Sequence, residues 1–416
     1  MRKTGKLEIV PGCLSEFLER WRKSMRLGIY AFYDAEGIAD EGDLIYLSAV
    51  RNELDELIIV VNGKLASRTR VVFECYASQI FCRENHGYDG GAFQEVLLKH
   101  LPRTVWEAVD ELVLFNNTVY GPLQPLSPIF KGFFASQADF WGMTLFHAPE
   151  LPDHIQSYFL AFKKSVLQSS AFWNFWKNLR MDFTVSDYLI ASYEIRFTET
   201  LHRAGFRYGV LQVMKGDQIY DEPLKSYEMG IPVLKKKIFR SSAFRIRPAE
   251  YEALLQHLEN EHPEVASAVH AYMRHHRYHW KEAPTYRGLC WSNEAVLAAV
   301  RPYRRIYFYG CTVRSFYLMS LLSAEERFFV ESDACWHGSQ QGEYRVLRLS
   351  EIFVRRGGTL SWWYSCADIM QTRCGRDWDG SSSMSSISAI PCQWERRHPP
   401  DALSARSHFL EGKCAA

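Results

Sequence analysis

Polar and glycine residues recur at the edges of apolar runs between residues 83 and 162. Arg83, Asn85, His86, Asp89, Gly90 and Gly91 crowd into one short stretch. An arginine there can neutralise a phosphate, and an aspartate can accept hydrogen bonds from sugar hydroxyls. Gly90 and Gly91 let backbone come close to a ligand and can free amides for an anion at the start of the next helix. Asn116 and Asn117 close an apolar run, where two buried amides are costly unless satisfied. They could hold sugar or phosphate directly, or help other ligands hold a divalent ion, although amide oxygens are weaker ligands than carboxylates. Asn62 ends another apolar run. Asp34 sits where an aspartate can bind a ribose or base edge, or simply make an Asx turn before Gly37. His154, Gln156 and Trp141 form a candidate acceptor or phosphate group, with a turn role for His154 equally open.

Neither GxGxxG nor the Walker lysine pattern accompanies these residues. By position alone Glu194, in a helical pattern, reads as a solvated glutamate. His270, His275, His276 and His279 read as an exposed helix face, since no cysteine pair or acidic set joins them. Lys235, Lys236, Lys237, Arg240, Arg245 and Arg247 read as a solvated basic face, with a lipid diphosphate or anionic membrane surface as the functional alternative.

The elements that must position these groups alternate. Residues 14–24 have helical spacing. Residues 27–32, 57–61 and 111–115 read as strands, with further strands beginning at Phe140 and spanning 158–162. Continuous runs such as Leu57–Val61 fit strands covered on both faces. Helices are expected over 42–55, 92–100, 166–177 and 188–204, and a helix and a strand both fit 71–82. This order predicts an α/β domain with a mainly parallel sheet. A second, smaller α/β unit is expected over 287–370, where a strand runs into Gly310 in the place of a Rossmann first turn. The predicted organisation is an N-terminal helical extension (1–25), a main domain (26–234), a basic helical linker (235–286), the Rossmann-like unit (287–370) and a low-complexity tail (371–416) expected to be disordered.

The 416-residue chain carries a formal charge of +1, so no bulk field steers it to nucleic acid. Its ten cysteines include no CxxC pair, which fits reduced thiols better than zinc or a disulfide framework. No secretory signal or spanning segment is apparent, so a cytoplasmic protein with peripheral membrane contact is expected.

Ordered blocks across 26–209 resemble the rhamnan synthesis protein F family. They are Leu27-Gly-Ile with Tyr33-Asp34 and Gly37-Ile38, then Asp55-Glu-Leu with Val60-Val-Asn-Gly63. Arg83-Glu-Asn with Gly87-Tyr-Asp-Gly-Gly-Ala92 follows, then Asn116-Asn117 with Val119-Tyr-Gly-Pro122, Asp139-Phe-Trp-Gly142 and Gln156-Ser-Tyr-Phe159. The resemblance implies a GT-A-like nucleotide-sugar-binding fold and transfer of L-rhamnose from a nucleotide diphosphate sugar, dTDP-L-rhamnose, to a growing lipid-linked glycan. It implies donor binding by Asp34, Asn62, Arg83, Asn85, Asp89, Gly90, Gly91, Asn116 and Asn117. A metal motif, Mg2+ or Mn2+, is implied at the strand ending in Asn117, which stands where relatives have aspartate. The matching position for the catalytic base is Glu194, with Leu201 and Gly205 behind it and Asp187 as runner-up. The alternatives are transfer of another sugar and a catalytically inactive scaffold for glycan assembly.

Overall fold

The computed structural model describes residues 25–183, 186–240, 246–276, 293–301 and 305–323, with shorter pieces between 326 and 364. The expected helix at 14–24, the tail from 371, and Arg245 and His279 lie outside the described residues.

Four strands form the parallel half of an eight-stranded sheet: β1 (Met25–Phe32), β2 (Glu56–Asn62), β3 (Gln79–Arg83) and β4 (Val109–Asn116). Their order is β3-β2-β1-β4. All of β2 is buried, as its continuous apolar run requires. Alternate residues feed two cores. Leu27, Ile29, Ile58, Val60, Leu112 and Leu114 face one, and Tyr30, Phe32, Leu57, Ile59, Val113 and Phe115 face the other.

Beyond the two-residue β5 (Val119–Tyr120), the sheet continues through β6 (Phe140–Ala148), β7 (Leu151–Ile155), β8 (Phe159–Lys163) and β9 (Tyr208–Lys215). Strand β8 runs antiparallel to both β4 and β6, and β7 antiparallel to β6. Strand β9 pairs parallel with β6. The sheet is therefore mixed, though mainly parallel. The strand β9 was not expected from the sequence, and its mostly half-buried residues explain the weak pattern.

Helix α1 (Glu41–Arg51) packs Tyr46, Leu47 and Val50 on one face of the sheet, and α2 (Tyr88–Glu95) packs Ala92 and Phe93 on the other. The helical run 186–203 includes a π-helical turn, Ile190–Ile195. Segment 235–276 is not a linker. Strand β10 (Leu234–Lys235) pairs antiparallel with β5. Helices α3 (Pro248–Glu261) and α4 (Pro263–His276) bury Leu254, Leu258 and Val269 in a core shared with Tyr120, Leu234 and Ile238. The supposed solvated basic face is also corrected, because Lys235 and Lys236 are each only 7% exposed.

A smaller sheet, ordered β13-β14-β12-β11-β15, contains β11 (Arg305–Tyr309), β12 (Glu326–Glu331), β13 (Gln340–Gln341), β14 (Tyr344–Arg348) and β15 (Trp363–Tyr364). Strands β11, β12, β14 and β15 are parallel, and β13 is antiparallel. Ile306, Phe316 and Phe329 of this unit join the same core as Tyr188, Tyr193 and Phe197 of the helical run. Among the described residues, no helix is long and apolar enough to cross a membrane.

Candidate active site

The parallel register brings the ends of β1 to β4 to one edge of the sheet, delivering Tyr33, Asn62, Arg83 and Asn116 there. Antiparallel β8 starts at that edge, so residues 156–158 lie on it. The Asn116 amide donates to the Tyr158 carbonyl at 3.3 Å.

Much of the predicted donor loop holds itself. Asp34 Oδ1 accepts from the amides of Glu36 and Ile38, both at 2.9 Å, which is the Asx turn. Arg83 donates to Asn62 Oδ1 (2.5 Å), to Glu95 Oε2 (3.1 Å) and to the His86 carbonyl (2.7 Å). Its charge is thus committed to Glu95 and its geometry to shaping the loop. Asn62 Nδ2 in turn donates to the Tyr88 carbonyl at 2.9 Å. The Gly90 amide donates to Asp89 Oδ1 (2.9 Å) and the Gly91 amide to the Gly87 carbonyl (2.7 Å), so neither is aimed at an anion. Gly91 is glycine for a packing reason, since a Cβ there would strike the His86 carbonyl. Asn85 is exposed on the loop. Tyr88 has φ +52°, directly after Gly87 at φ +78°. A bulky residue in the left-handed region stores strain of order 1–3 kcal/mol, a cost often found at ligand-binding turns. Tyr88 and Tyr33 are 39% and 50% exposed on this rim, Tyr88 with its ring stacked toward Phe183 at 6.2 Å.

The two asparagines do different work. Asn117 pairs with the Tyr33 backbone in both directions, Oδ1 accepting at 3.2 Å and Nδ2 donating at 3.0 Å, as an added rung between β4 and β1. Asn116 Oδ1 accepts from the Thr118 amide and hydroxyl, while its Nδ2 donates to Asp89 Oδ2 at 2.7 Å. The implied divalent metal does not fit these residues. The Asn116 oxygen already accepts two hydrogen bonds, the neutral Asn117 oxygen is held against the Tyr33 backbone, and among the described residues no group of three or more His, Cys, Asp or Glu side chains converges as a metal site. Asn117 is accordingly a strand-joining residue.

The chemistry gathers one layer deeper. Glu194 projects from the π-helical turn, a distortion that recurs at functional sites. Its Oε1 accepts from the Ser157 hydroxyl (2.5 Å) and amide (3.2 Å). The Ser157 hydroxyl also lies 3.5 Å from Asp89 Oδ2, linking the two carboxylates. Burial first, and then the neighbouring Glu194 charge, push the Asp89 carboxyl up to about 6. Buried His154 donates from Nδ1 to the Pro152 carbonyl at 2.8 Å, which turns Nε2 toward Glu194 Oε2 at 4.0 Å. Burial holds its pKa below the usual histidine value. Gln156 Oε1 accepts from Thr144, whose hydroxyl is 2.9 Å from that of Tyr158.

Lys235 completes the cluster. Pairing of β10 with β5 sets it opposite Val119, just after the two asparagines. Its ammonium lies 4.0 Å from the centroid of the Tyr158 ring and 5.7 Å from that of Tyr220. Burial pushes its pKa down to about 8, against the pull of Glu194 and Asp89. The structure thus joins Asp89, Asn116, His154, Gln156 and Glu194, and adds Lys235, Ser157 and Thr144, which sequence reasoning had not picked as site residues. Asp187 stands nearer the rim, its charge felt by Tyr88. Trp141 is not at the site. It is fully buried, stacked on Phe133 at 4.4 Å, and donates from Nε1 to Glu111 at 3.1 Å.

A polar cluster of two carboxylates, an ammonium and several hydroxyls at the strand ends suits a polyhydroxylated ligand. The chain belongs to the rhamnan synthesis protein F family, whose sequence profile matches residues 57–275. It is 25% identical over 185 residues to the protein y4gN of Sinorhizobium fredii, covering 44% of this chain. The chain spans about half (47%) of the length of that curated relative. Among solved structures, it is similar to 4-diphosphocytidyl-2C-methyl-D-erythritol synthase of Anaerococcus prevotii, with 16% identity over 46% of this chain and 89% of the other, and a TM-score of 0.29. It is also similar to glucosyl-3-phosphoglycerate synthase of Mycobacterium tuberculosis, with 12% identity over 68% and 90% of the two chains, and a TM-score of 0.26. Likenesses this shallow leave the fold to be argued from the sheet order itself.

Proposed function

We propose that this protein is a GT-A-type glycosyltransferase that moves L-rhamnose from a nucleotide diphosphate donor, dTDP-L-rhamnose, to a growing lipid-linked surface polysaccharide. Family membership and the parallel β3-β2-β1-β4 order with its antiparallel neighbour support this reading. The observation that carries it is Glu194, fixed by Ser157 beside Asp89 at the edge where the parallel strands end.

In the proposed reaction Glu194 takes the proton from an acceptor hydroxyl as that oxygen attacks the anomeric carbon. The bond from that carbon to the diphosphate oxygen breaks, and a single displacement inverts the configuration. Asp89, steadied by Asn116, accepts hydrogen bonds from sugar hydroxyls. Tyr33 and Tyr88 offer flat faces to the base or sugar at the rim. The work would be done in the cytoplasm, with peripheral contact at the inner membrane face where a lipid-linked acceptor is presented.

Glu194→Gln tests this. Turnover of dTDP-L-rhamnose with a lipid-linked acceptor should fall about 10²–10⁴-fold, the usual contribution of a general base, while donor affinity stays within about threefold. Near-normal turnover in that variant would remove Glu194 from the reaction.

A further inference from the structure

GT-A-type transfer needs positive charge on the leaving diphosphate, and the end of β4 does not supply it through a metal. Asn117 is spent on the Tyr33 backbone and the Asn116 oxygen on Thr118. Arg83 is committed to Glu95 and the loop. Lys236 is committed to Asp40 and Asp43. Lys235 is different. It is 7% exposed, yet among the described residues no acceptor hydrogen-bonds its ammonium and no carboxylate comes within ion-pair contact. An ammonium this little exposed and without a bonded acceptor keeps its hydrogen bonds for water or a ligand.

Its placement is not accidental in chain terms. Lys235 pairs with Val119, and the Lys236 amide donates to the Thr118 carbonyl at 2.9 Å. Two backbone links therefore hold this lysine beside the segment that follows Asn116 and Asn117. The Tyr158 ring fixes its direction. We infer that Lys235 binds the donor's diphosphate and steadies the leaving nucleoside diphosphate, in the role that a divalent ion would otherwise fill. This rests on the glycosyltransferase reading above and adds to it the source of the leaving-group charge.

The test is calorimetry on the full chain with dTDP, UDP and GDP, and with the matching monophosphates, in EDTA and in Mg2+ or Mn2+. One nucleoside diphosphate should bind in EDTA with an affinity within about twofold of that in either metal. Lys235→Met should weaken it roughly 10- to 100-fold, as loss of a charge-assisted contact predicts, and Lys235→Arg should restore part of the loss. Monophosphate affinity should change far less. Diphosphate binding that collapses in EDTA, a result needing no variant, would overturn the role of Lys235 while leaving a transferase. Wild-type affinity in Lys235→Met would do the same. Failure of every nucleoside diphosphate to bind under every ion condition would instead sink the transferase reading, and this inference with it.

Discussion

Lys235 and Lys236 are neighbours in sequence and equally buried, yet they end in opposite electrostatic states. Lys236 Nζ donates to Asp43 Oδ1 at 2.6 Å and to Asp40 Oδ2 at 3.0 Å, and the Tyr120 hydroxyl also donates to Asp40 at 2.8 Å. Asp40 is at the same time the N-cap of α1, accepting from the Asp43 amide. That cluster is closed, and it clamps the segment after β10 onto α1. The cluster around Lys235 contains two carboxylates and one ammonium too, but with no direct bond between the signs. The pKa directions agree. Lys236 is raised despite its burial, through Asp43 and Asp40, whereas burial wins at Lys235. The first cluster is closed on itself, and the second leaves its ammonium without a bonded anion.

The largest expected difference between them is in stability. Lys236→Met strands two carboxylates, one of them fully buried, and should cost about 3–5 kcal/mol in urea unfolding at neutral pH. Lys235→Met removes a charge already lacking a bonded partner, and at neutral pH should leave the fold as stable as before or more stable, by up to about 3 kcal/mol. Equal losses from the two substitutions would erase the distinction between a clamp and a site.

A smaller effect separates them by pH. The folded state holds the Lys235 pKa down at about 8, below the 10.5 of a free lysine. Folding therefore disfavours its proton, so this residue's contribution to stability improves as pH rises from about 8 toward 10.5, by at most about 1.4 kcal/mol per unit. Diphosphate affinity should move the other way, weakening up to about tenfold per unit as the ammonium is lost. Both trends should be absent from Lys235→Met, and so appear in full in the difference between wild type and that variant. A wild-type affinity flat from pH 7 to 10 would count against the ammonium as the contact.

The contrast also marks where the sequence stops being readable. Strands β2 and β4 were legible because their apolar runs are long and continuous, whereas Glu194 stands out only through the family resemblance, since by position alone it reads as a solvated glutamate. The lysines were not. Lys235-Lys236-Lys237 is a charge run, and charge runs are ordinarily solvated. What sends two of its members inward is a two-residue strand whose partner, β5, lies more than a hundred residues earlier. The carboxylates of Lys236 are more remote still, its contacts spanning 193 and 196 residues. The short apolar stretch Ile231 to Leu234 just before them is the one local hint of burial. Asn117 fails for another reason, since nothing in residue type distinguishes an amide that binds a ligand from one that mimics backbone across two strands.

The finest test lies within the open cluster. Asp89 has a folded pKa of about 6 against 3.8 for a free aspartate, raised by burial and then by Glu194. A raised carboxyl pKa means that its favourable contribution is fully present below about 3.8 and is lost as pH climbs through 6. Asp89→Asn cannot titrate, so relative to wild type it should gain stability between pH 4 and pH 7, on the order of 1–2 kcal/mol once solvent screening is allowed for. Denaturant midpoints across that range would measure it. In the Glu194→Gln background Asp89 loses its like-charged neighbour, so its transition should shift toward lower pH and the gain should shrink. An unchanged transition there would mean that the two carboxylates do not sense each other, and the pair would lose its claim to act as one site.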